Sequence, residues 1–466
     1  MIRPCTCFIL VALLQLIAPS HGQAHNDSTN QKPNIVLILA DDLGISDLAC
    51  YGNEFMQTPA LNKLAASGML FENAYAAAPV CSPTRAAIMT GKSPARLKLT
   101  NYLYGMRFDS LSNMIPAAYV PQLPLEENTL AERLKEIGYI TGMFGKWHLS
   151  DNEHESEFSP KNQGFDVVVG GRGSAGQYFF PAWQKSGRTE MIDGTNGEYL
   201  TDRLTDEAIA FVAQHKDEPF FLYLAHYAVH IPLQAKDEDI KKYQSLESHD
   251  AYNLTYAAMV DNLDQNTDRL IQALEANGLT KNTIIIFCSD NGGLAVPEGG
   301  PQPTTNEPYR EGKGYLYEGG IRVPMLLSWP GTIQAGTKSD ALVSSADIFV
   351  SLIDVVGAYD SQEKFDGRSL LPLWKEGKAL ENTSLYWHYP HFSNQGGRPS
   401  AAMREGNYKL LYFFETNSVE LYDLKKDPGE LNNIARNKAR VAAKLKKDLL
   451  NWLKETEANL PQTVSE

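Results

Sequence analysis

Four short, continuous apolar runs constrain the fold of this chain more than any other feature. They are NIVLILA (34–40), FFLYLA (220–225), TIIIFC (283–288) and VPMLLSW (323–329). Runs of this length that are rich in β-branched residues are typical of strands buried on both faces of a parallel sheet. Because helical patterns lie between them, we predict an α/β fold whose large, mostly parallel sheet is sandwiched by helices.

Two segments between these runs have helical periodicity. Residues 128–137 carry apolar side chains on one face, and Thr129 and Glu132 form a capping box at the start of that segment. Residues 256–274 repeat apolar side chains at helical spacing and end close to Gly278, a typical helix terminator. Each segment therefore predicts a helix that packs on the sheet.

Beyond about residue 375 the pattern changes. Three strand-like stretches, SLYWHYP, NYKLLYFF and VELYDL, are separated by turn-forming residues. A last helical segment then places Val441, Leu445, Leu449 and Leu453 on one face. We predict a small C-terminal antiparallel sheet with a packed helix.

The chain has 466 residues, which favours two domains. Residues 1–22 have the charge, the short apolar stretch and the small residues of a secretory signal peptide, and the stretch is too short to span a bilayer. We therefore expect an exported protein, periplasmic or secreted, with no membrane insertion. The expected domains are a catalytic α/β domain over 23–375 and an α+β subdomain over 376–466.

The formal net charge of −14 argues against nucleic-acid binding through the overall field of the protein. An anionic substrate would need a locally positive pocket to overcome that field.

Polar side chains follow three of the apolar runs, at the strand ends where open α/β sheets bind ligands. They are Asp41 and Asp42, then His226 and His230, then Asp290 and Asn291. Three carboxylates in one cavity would repel one another unless a divalent cation neutralised them, and oxygen donors favour calcium or magnesium over zinc. The alternative, that each aspartate only caps the loop after it, stays open at this point.

The cysteines leave one thiol to explain. Cys50, Cys81 and Cys288 remain after the signal peptide, an odd number, so no disulfide framework covers them all. Cys288 ends an apolar run and is expected to be a buried small hydrophobe. Cys81 stands between two prolines in PVCSPTR (79–85).

The residues after Cys81 predict a helix, with Ser82 as N-cap, Pro83 as first helical residue and Gly91 as terminator. Cys81 would then lie just ahead of a helix N-terminus, which favours an anion, and Arg85 would lie in the first turn. Sulfate or phosphate fits such a place. An ordinary capped helix with an incidental thiol would account for the cap but not for the arginine.

VCSPTRAAIMTG (80–91) resembles the signature of the formylglycine-dependent, type I sulfatases of the alkaline phosphatase superfamily, whose cysteine in C-x-P-x-R is oxidised to an aldehyde during export. GYITGMFGKWHL (138–149) resembles the second signature of that family, although Phe144 stands where a smaller residue is usual. Further matches are NIVLILADDLG, HYAVHIP, FCSDNGG, KGYLYEGGIRVP and LYDLKKDPGELNN. The resemblance covers almost all of the mature chain.

The resemblance implies an alkaline-phosphatase-like fold and a calcium site, with magnesium the less usual ion. Its ligands would be Asp41, Asp42, Asp290, Asn291 and the modified residue 81. One hydroxyl of the hydrated formylglycine made from Cys81 would attack sulfur and expel the substrate alcohol. The second hydroxyl would then lose its proton and expel sulfate. A formylglycine-generating or anaerobic maturation enzyme is an implied partner.

The family's roles transfer to the matching positions. Lys146 and Lys313 would hold sulfate oxygens, and Arg85 would hold the diol. His148 would assist at residue 81, and His230 would protonate the leaving group. The role of His226 is open between substrate binding and structural hydrogen bonding.

For substrate choice, a Gly-rich segment over 388–406 could close over the site as a loop. Its candidate substrate-binding residues are His388, His391, Arg398 and Arg404, with Arg107 elsewhere in the chain, and solvated surface positions are the alternative. Members of the family with similar sequence patterns act on sulfated sugars. The resemblance therefore implies an exo-acting carbohydrate sulfatase with galactose or N-acetylgalactosamine sulfate as the preferred substrate.

Three other functions compete with this hypothesis. One is an arylsulfatase, and another is a phosphate or phosphonate monoester hydrolase of the same superfamily. A phosphatase would be expected to have two zinc ions with several histidine ligands, unlike the oxygen-rich set here. A non-catalytic glycan-binding protein on this fold would be expected to lack a core residue, and none is missing.

Overall fold

The four apolar runs become adjacent strands of one sheet in the computed structural model of the protein. The model describes residues 1, 32–103, 105, 112–150, 156–180, 194–246, 252–381 and 384–464. The predicted signal peptide, apart from Met1, and Arg107 lie outside the described residues. Pro33–Glu466 forms one compact unit.

The strands are numbered in chain order. They are β1 (Asn34–Ala40), β2 (Met69–Phe71), β3 (Ala74–Tyr75), β4 (Met114–Ile115), β5 (Ile140–Gly145), β6 (Val167–Gly170), β7 (Phe220–Ala225), β8 (Thr283–Ser289), β9 (Met325–Ser328), β10 (Thr337–Ser339), β11 (Val343–Ser344), β12 (Leu385–Tyr389), β13 (Ser400–Glu405), β14 (Tyr408–Phe413), β15 (Ser418–Asp423) and β16 (Gln462–Thr463).

The α-helices are numbered in the same way. They are α1 (Pro59–Ser67), α2 (Cys81–Thr90), α3 (Pro94–Leu97), α4 (Leu130–Glu136), α5 (Leu200–Gln214), α6 (Asp237–Gln244), α7 (Leu254–Ala276), α8 (Glu318–Ile321), α9 (Ala346–Val355), α10 (Leu371–Glu376) and α11 (Ala439–Glu455). Short 3-10 helices span Ile45–Asp47, Ala49–Tyr51, Pro160–Gln163 and Thr280–Asn282. The predicted capping box of Thr129 and Glu132 at the start of α4 is confirmed.

The large sheet has the strand order β10-β2-β9-β8-β1-β7-β5-β6. The central strands β8, β1, β7, β5 and β6 run parallel, and β9 runs antiparallel to β8. The fourth apolar run thus differs in direction from the other three. Met325 pairs with Cys288, so the chain re-enters the sheet at the edge where it left β8, and no crossover reverses it.

Alternate side chains of β1 show why its sequence is continuously apolar. Val36 and Ile38 point to one face, which packs against α5 and α7, and Leu37 points to the other, which packs against α2, α4 and α9. Both faces are therefore covered, as in parallel sheets generally. The predicted fold class is confirmed.

The small sheet has the order β12-β13-β14-β15 and is antiparallel throughout. One face packs on the large domain through residues such as Trp387 and Leu411, and the other packs on α11 through residues such as Met403 and Leu421. These elements all lie within 376–466, and the domain boundary at 375 stays a prediction. None of the described helices is both long and apolar enough to cross a membrane.

Strand β13 corrects the sequence analysis, which placed a Gly-rich loop within 388–406 and predicted three strands, not four, for the small sheet. Residues 400–405 are a strand, and Ala401 and Ala402 are buried on opposite faces. Since both faces are covered, the sequence lacks the alternation of polar and apolar residues that would have revealed a strand.

Candidate active site

Four neighbouring strands end at one level of the large sheet and deliver the candidate residues to one place. Ala40 of β1 pairs with Ser289 of β8, and Gly145 of β5 pairs with Ala225 of β7. The residue after each strand therefore leaves the sheet at the same edge. This register, set by buried apolar side chains, brings residues about 250 positions apart in sequence into contact.

Hydrogen bonds from a backbone N–H and from the Asn291 side chain join the two loops that carry the aspartates. The Asp42 N–H donates to Asp290 Oδ1 at 3.2 Å, and Asn291 Nδ2 donates to Asp42 Oδ1 at 2.8 Å. Asp41 is buried beside them. Asp42 has a φ of 63°, a backbone strain that sharp turns at functional sites often carry. The loop-cap alternative alone does not account for this contact network.

Cys81 is the first residue of α2, and its Sγ lies 3.5 Å from Asp41 Oδ1 and 4.0 Å from Asp42 Oδ1. The predicted cap is wrong by two positions, because Val80 is the N-cap and Ser82 Oγ instead accepts from the Leu103 N–H. Gly91 ends the helix in the left-handed conformation, as predicted. The thiol therefore lies at the helix N-terminus, where backbone dipoles favour an anion.

Three cations surround the aspartates. Arg85 Nη2 lies 2.7 Å from Asp290 Oδ2, Lys146 Nζ lies 2.7 Å from Asp41 Oδ2, and Lys313 Nζ lies 2.8 Å from Asp42 Oδ2. Arg85 Nη1 also donates to the Lys146 carbonyl, which fixes the guanidinium. All six side chains are buried. Three cations are thus concentrated in one place within an acidic protein, but three carboxylates balance their charge.

Burial and charge act in opposite directions on these carboxyl groups. Burial raises the pKa of Asp290 to about 6, although Arg85 opposes the shift. Burial would also raise the pKa of Asp42, but Lys313, His230 and Lys146 together hold it well below its usual range. An additional cation would therefore stabilise the ionised form of Asp290 in particular.

His230 is half-buried and its Nε2 lies 3.6 Å from Asp42 Oδ2. Its Nδ1 lies 2.6 Å from the Ile231 carbonyl, which assigns the proton of the neutral ring to Nδ1. Burial, followed by the charge of Lys313, lowers the pKa of His230 to about 4. The imidazole is therefore neutral at pH 7 before substrate binds.

His148 follows Lys146 by two residues and has a φ of 59°. Among the described residues its Nδ1 has no hydrogen-bond partner. Burial, and then the charges of Lys146 and Arg85, lower its pKa well below 6.5, so this ring is also neutral. A neutral histidine with an unused nitrogen suits a proton acceptor.

His226 is fully buried, and neither ring nitrogen has a hydrogen-bond partner within the described ranges. Burial lowers its pKa to about 3. Its backbone N–H donates to the Leu39 carbonyl and joins β7 to β1. These contacts do not include the aspartates, so the role of His226 stays undecided.

The donor groups at this edge fit a divalent cation. Ligand atoms of Asp41, Asp42, Cys81 and His230 all lie within 4.8 Å of one another. The carboxamide oxygen of Asn291 is buried and accepts no hydrogen bond from any described residue. A buried acceptor that no protein donor satisfies, beside ionised carboxylates, suits a hard cation. Both oxygens of Asp290 already accept hydrogen bonds, from the Asp42 N–H and Arg85.

The predicted substrate-binding residues are engaged away from the aspartates. His388 Nε2 lies 2.8 Å from the Asn459 carbonyl, and His391 Nε2 lies 2.8 Å from Thr100 Oγ1. Arg404 lies in β13, is buried and bonds to Tyr75, whereas Arg398 is exposed and lies 3.6 Å from a Glu415 oxygen. Their assignment to substrate binding stays a prediction that these contacts do not favour.

Sequence reasoning missed Ser289, the residue before Asp290. Its Oγ accepts from the Leu43 N–H at 3.0 Å and donates to the Asn291 carbonyl at 2.9 Å. It thus fixes the two loops that carry the aspartates relative to each other. The signal was present in FCSDNGG, where the serine adjoins the predicted ligands.

Comparison with known proteins agrees with this geometry. The family model named Sulfatase matches residues 33–358, and the model for the C-terminal part of N-sulphoglucosamine sulphohydrolase matches residues 311–458. N-acetylgalactosamine-6-sulfatase of Mus musculus is 34% identical over 425 residues, covering 86% of this chain and 76% of that protein.

Two further relatives match over nearly their full length. A sulfatase of Formosa agariphila is 29% identical, covering 94% of this chain and 92% of that protein. The solved structure of Ps i-CgsB in complex with k-i-k-neocarrahexaose is 31% identical with a TM-score of 0.76, covering 93% of this chain and 94% of that one.

Proposed function

Because this chain belongs to the sulfatase family of sulfuric ester hydrolases, we propose that it removes sulfate from a sulfated carbohydrate, with formylglycine made from Cys81 as its nucleophile. One observation carries the proposal. Cys81 lies at the start of α2, 3.5 Å from Asp41, and Arg85 and Lys146 are buried beside that aspartate. A thiol whose pKa burial raises far above neutrality is a poor nucleophile itself, which favours its role as a precursor.

We propose calcium as the metal, held by Asp41, Asp42, Asp290, Asn291 and the modified residue 81. The buried, unsatisfied oxygen of Asn291 supports this ligand set. A bound divalent cation would lower the pKa of a hydroxyl on residue 81 and so supply the nucleophile at neutral pH.

The lysines bind the sulfate group in this proposal. Lys146 and Lys313 each contact one of the two aspartates beside Cys81, so an anion at residue 81 would lie next to both ammonium groups. Charge that develops on the sulfate oxygens in the transition state is stabilised by such fixed, buried donors. Arg85 is anchored by Asp290 and the Lys146 carbonyl, and it keeps residue 81 in place.

The histidines move protons. His148 is neutral and has an unused nitrogen, as a base that removes the proton from residue 81 requires. His230 protonates the leaving alcohol. It is neutral in the free protein, and a sulfate anion beside it favours the charged, proton-donating form.

For the substrate, we propose exo-action on galactose or N-acetylgalactosamine sulfate. The names of two relatives support this choice: one is an N-acetylgalactosamine-6-sulfatase, and the other was solved with a neocarrahexaose. We further propose export by the N-terminal signal peptide to the periplasm or the extracellular space, and modification of Cys81 by a maturation enzyme on the way.

The test is a panel of defined monosulfated galactose and N-acetylgalactosamine sugars, with free sulfate as the readout. We expect turnover by the wild type and by Cys50→Ser, a matched change at a partly exposed cysteine. Cys81→Ser should lose at least about 1000-fold in kcat/KM. Mass analysis of the residue 81 peptide should show loss of the thiol.

Three results would contradict the proposal. Unchanged turnover by Cys81→Ser would exclude residue 81 as the nucleophile. Faster hydrolysis of matched phosphate esters would favour a phosphate or phosphonate ester hydrolase. Turnover of aryl sulfates alone would exclude a carbohydrate substrate.

A further inference from the structure

Four polar residues, Tyr102, Glu298, Asn394 and Gln395, form a cluster that the mechanism does not use, and we name this cluster the rim. Asn394 Nδ2 donates to the Tyr102 hydroxyl at 2.8 Å and lies 3.5 Å from Glu298 Oε1. Gln395 Nε2 donates to Glu298 Oε2. The rim joins three segments that are almost 300 residues apart at the extremes.

The rim adjoins the active site along the chain and in space. Tyr102 precedes Leu103, whose N–H donates at 3.1 Å to the hydroxyl of Ser82, next to Cys81. On the other side, a β-carbon placed on Gly314, next to Lys313, would lie 2.7 Å from Gln395 Oε1. The rim is therefore fastened to the neighbours of both the nucleophile and a sulfate-binding lysine.

The rim is firmly held and still open to solvent. The Gln395 carbonyl accepts from the Tyr315 hydroxyl at 2.7 Å, and Gln395 itself is buried. Asn394 is exposed, and Tyr102 and Glu298 are half-buried. An aromatic ring beside amide and carboxylate groups is the chemistry that binds a sugar ring and its hydroxyls.

Glu298 supplies the only carboxylate of the rim. No described lysine or arginine forms an ion pair with it, although the buried Lys313 directly precedes Gly314, which lies against Gln395 of the rim. A negative charge at this place attracts hydroxyl donors and repels a second anionic group on the same sugar.

We propose that Glu298 is a specificity-determining residue that selects sugars carrying a single sulfate and disfavours those with a second sulfate on the same ring. Tyr102 and Asn394 bind the uncharged face of that sugar. This inference rests on the proposed function, since it concerns the sugar that the same site desulfates.

The test compares kcat/KM on N-acetylgalactosamine 6-sulfate and N-acetylgalactosamine 4,6-disulfate. For the wild type we expect a preference for the monosulfated sugar, and for Glu298→Gln a preference about tenfold smaller. Glu298→Asp keeps the charge and should restore the preference. Glu405→Gln, an exposed carboxylate paired with Lys444 on the small sheet, is the matched control and should keep the wild-type ratio.

Measurements at several salt concentrations distinguish charge repulsion of the second sulfate from its steric exclusion. Raising the salt from about 20 mM to about 500 mM should narrow the wild-type preference and leave the ratio of Glu298→Gln unchanged, because salt screens a repulsion that the variant lacks. The proposal is overturned if Glu298→Gln keeps the wild-type ratio, or if both ratios respond equally to salt. Failure of the wild type to release sulfate from these two sugars and from the monosulfated galactoses would instead contradict the proposed function.

Discussion

Two buried ionic clusters within the described part of the chain are built differently. The cluster at the proposed active site, named the catalytic cluster here, consists of Asp41, Asp42, Asp290, Arg85, Lys146 and Lys313. The interface cluster joins the small sheet to the large domain and consists of Glu318, Glu430, Lys409, Arg322 and Arg404. Apart from Arg322, whose side chain is 12% exposed, both are buried, so burial alone does not distinguish them.

The difference lies in how the polar atoms are satisfied. In the interface cluster Lys409 Nζ lies 2.9 Å from Glu318 Oε1 and 3.0 Å from Glu430 Oε1. The second oxygen of each glutamate accepts a hydrogen bond, from the Tyr75 hydroxyl or the Glu318 N–H. Glu430 Oε1 forms no hydrogen bond within the described residues but faces the Lys409 ammonium, so each glutamate oxygen of that cluster has a donor or a cation beside it.

The catalytic cluster is open by contrast. Its carboxylates adjoin one another, and the neighbouring oxygen of Asn291 is buried without a donor among the described residues. Unsatisfied acceptors and adjacent like charges are costly, so their persistence points to a ligand that is bound in the working enzyme. A buried charge cluster therefore indicates a ligand-binding site when it contains acceptors that no protein donor satisfies.

The largest expected effect follows from this openness. Lys313→Met should lower kcat/KM about 1000-fold, because a buried donor to the sulfate oxygens is lost in the transition state. The measurement is sulfate release at saturating and limiting substrate, with circular dichroism as a check of folding. If Lys409→Met, the matched change in the interface cluster, lost as much kcat/KM while folded, the comparison would fail.

For the interface cluster we expect a substitution to reduce stability rather than kcat/KM. Lys409→Met should lower the free energy of unfolding by about 3–5 kcal/mol, because two buried glutamates lose a common partner. Chemical denaturation followed by fluorescence measures it. The double variant Lys409→Met with Glu430→Met should recover part of that loss; equal instability of both variants would show that packing, rather than charge, was removed.

Calcium binding should depend on the catalytic cluster and not on the interface cluster. At about 100 times its dissociation constant, calcium should raise the free energy of unfolding by about 2.7 kcal/mol, and a chelator should reverse this. Asn291→Ala should weaken calcium binding about tenfold or more, since a ligand oxygen is removed. Glu430→Gln should bind calcium as the wild type does, as titration calorimetry can measure, and equal weakening in both variants would contradict the assignment.

The smallest expected effect is a loss of stability at acidic pH that arises from His388 in the small sheet. Burial lowers the pKa of His388 to about 4, below the 6.5 of an unfolded chain. The unfolded state therefore binds the extra proton first, and stability is lost as the pH falls from 6.5 towards 4. At pH 5 the titration of His388 should lower the free energy of unfolding by about 2 kcal/mol relative to pH 8.

His388→Gln keeps a donor for the Asn459 carbonyl without the titration. The variant should therefore show a flatter dependence of unfolding free energy on pH than the wild type. Identical pH profiles would show that His388 does not titrate with unfolding.

Residues near one another in sequence were the predictable part of the site. The strand ends at Asp41 and Asp290 and the helix after Cys81 follow from local patterns, because apolar runs and caps are local properties. The two-residue error in the predicted cap arose because Leu103, whose N–H donates to the Ser82 hydroxyl, is distant in sequence. Strand β13 escaped notice because both of its faces are covered.

The sequence by itself determined the α/β class, the family resemblance and the residue types of the catalytic cluster, because these depend on periodicity and on short motifs. Only the tertiary structure decided that Asn291 keeps an unused oxygen, that Arg404 belongs to the interface cluster and that Glu298 adjoins Gln395. Those facts depend on strand register and loop packing across hundreds of residues, where one step of register would turn each side chain to the opposite face.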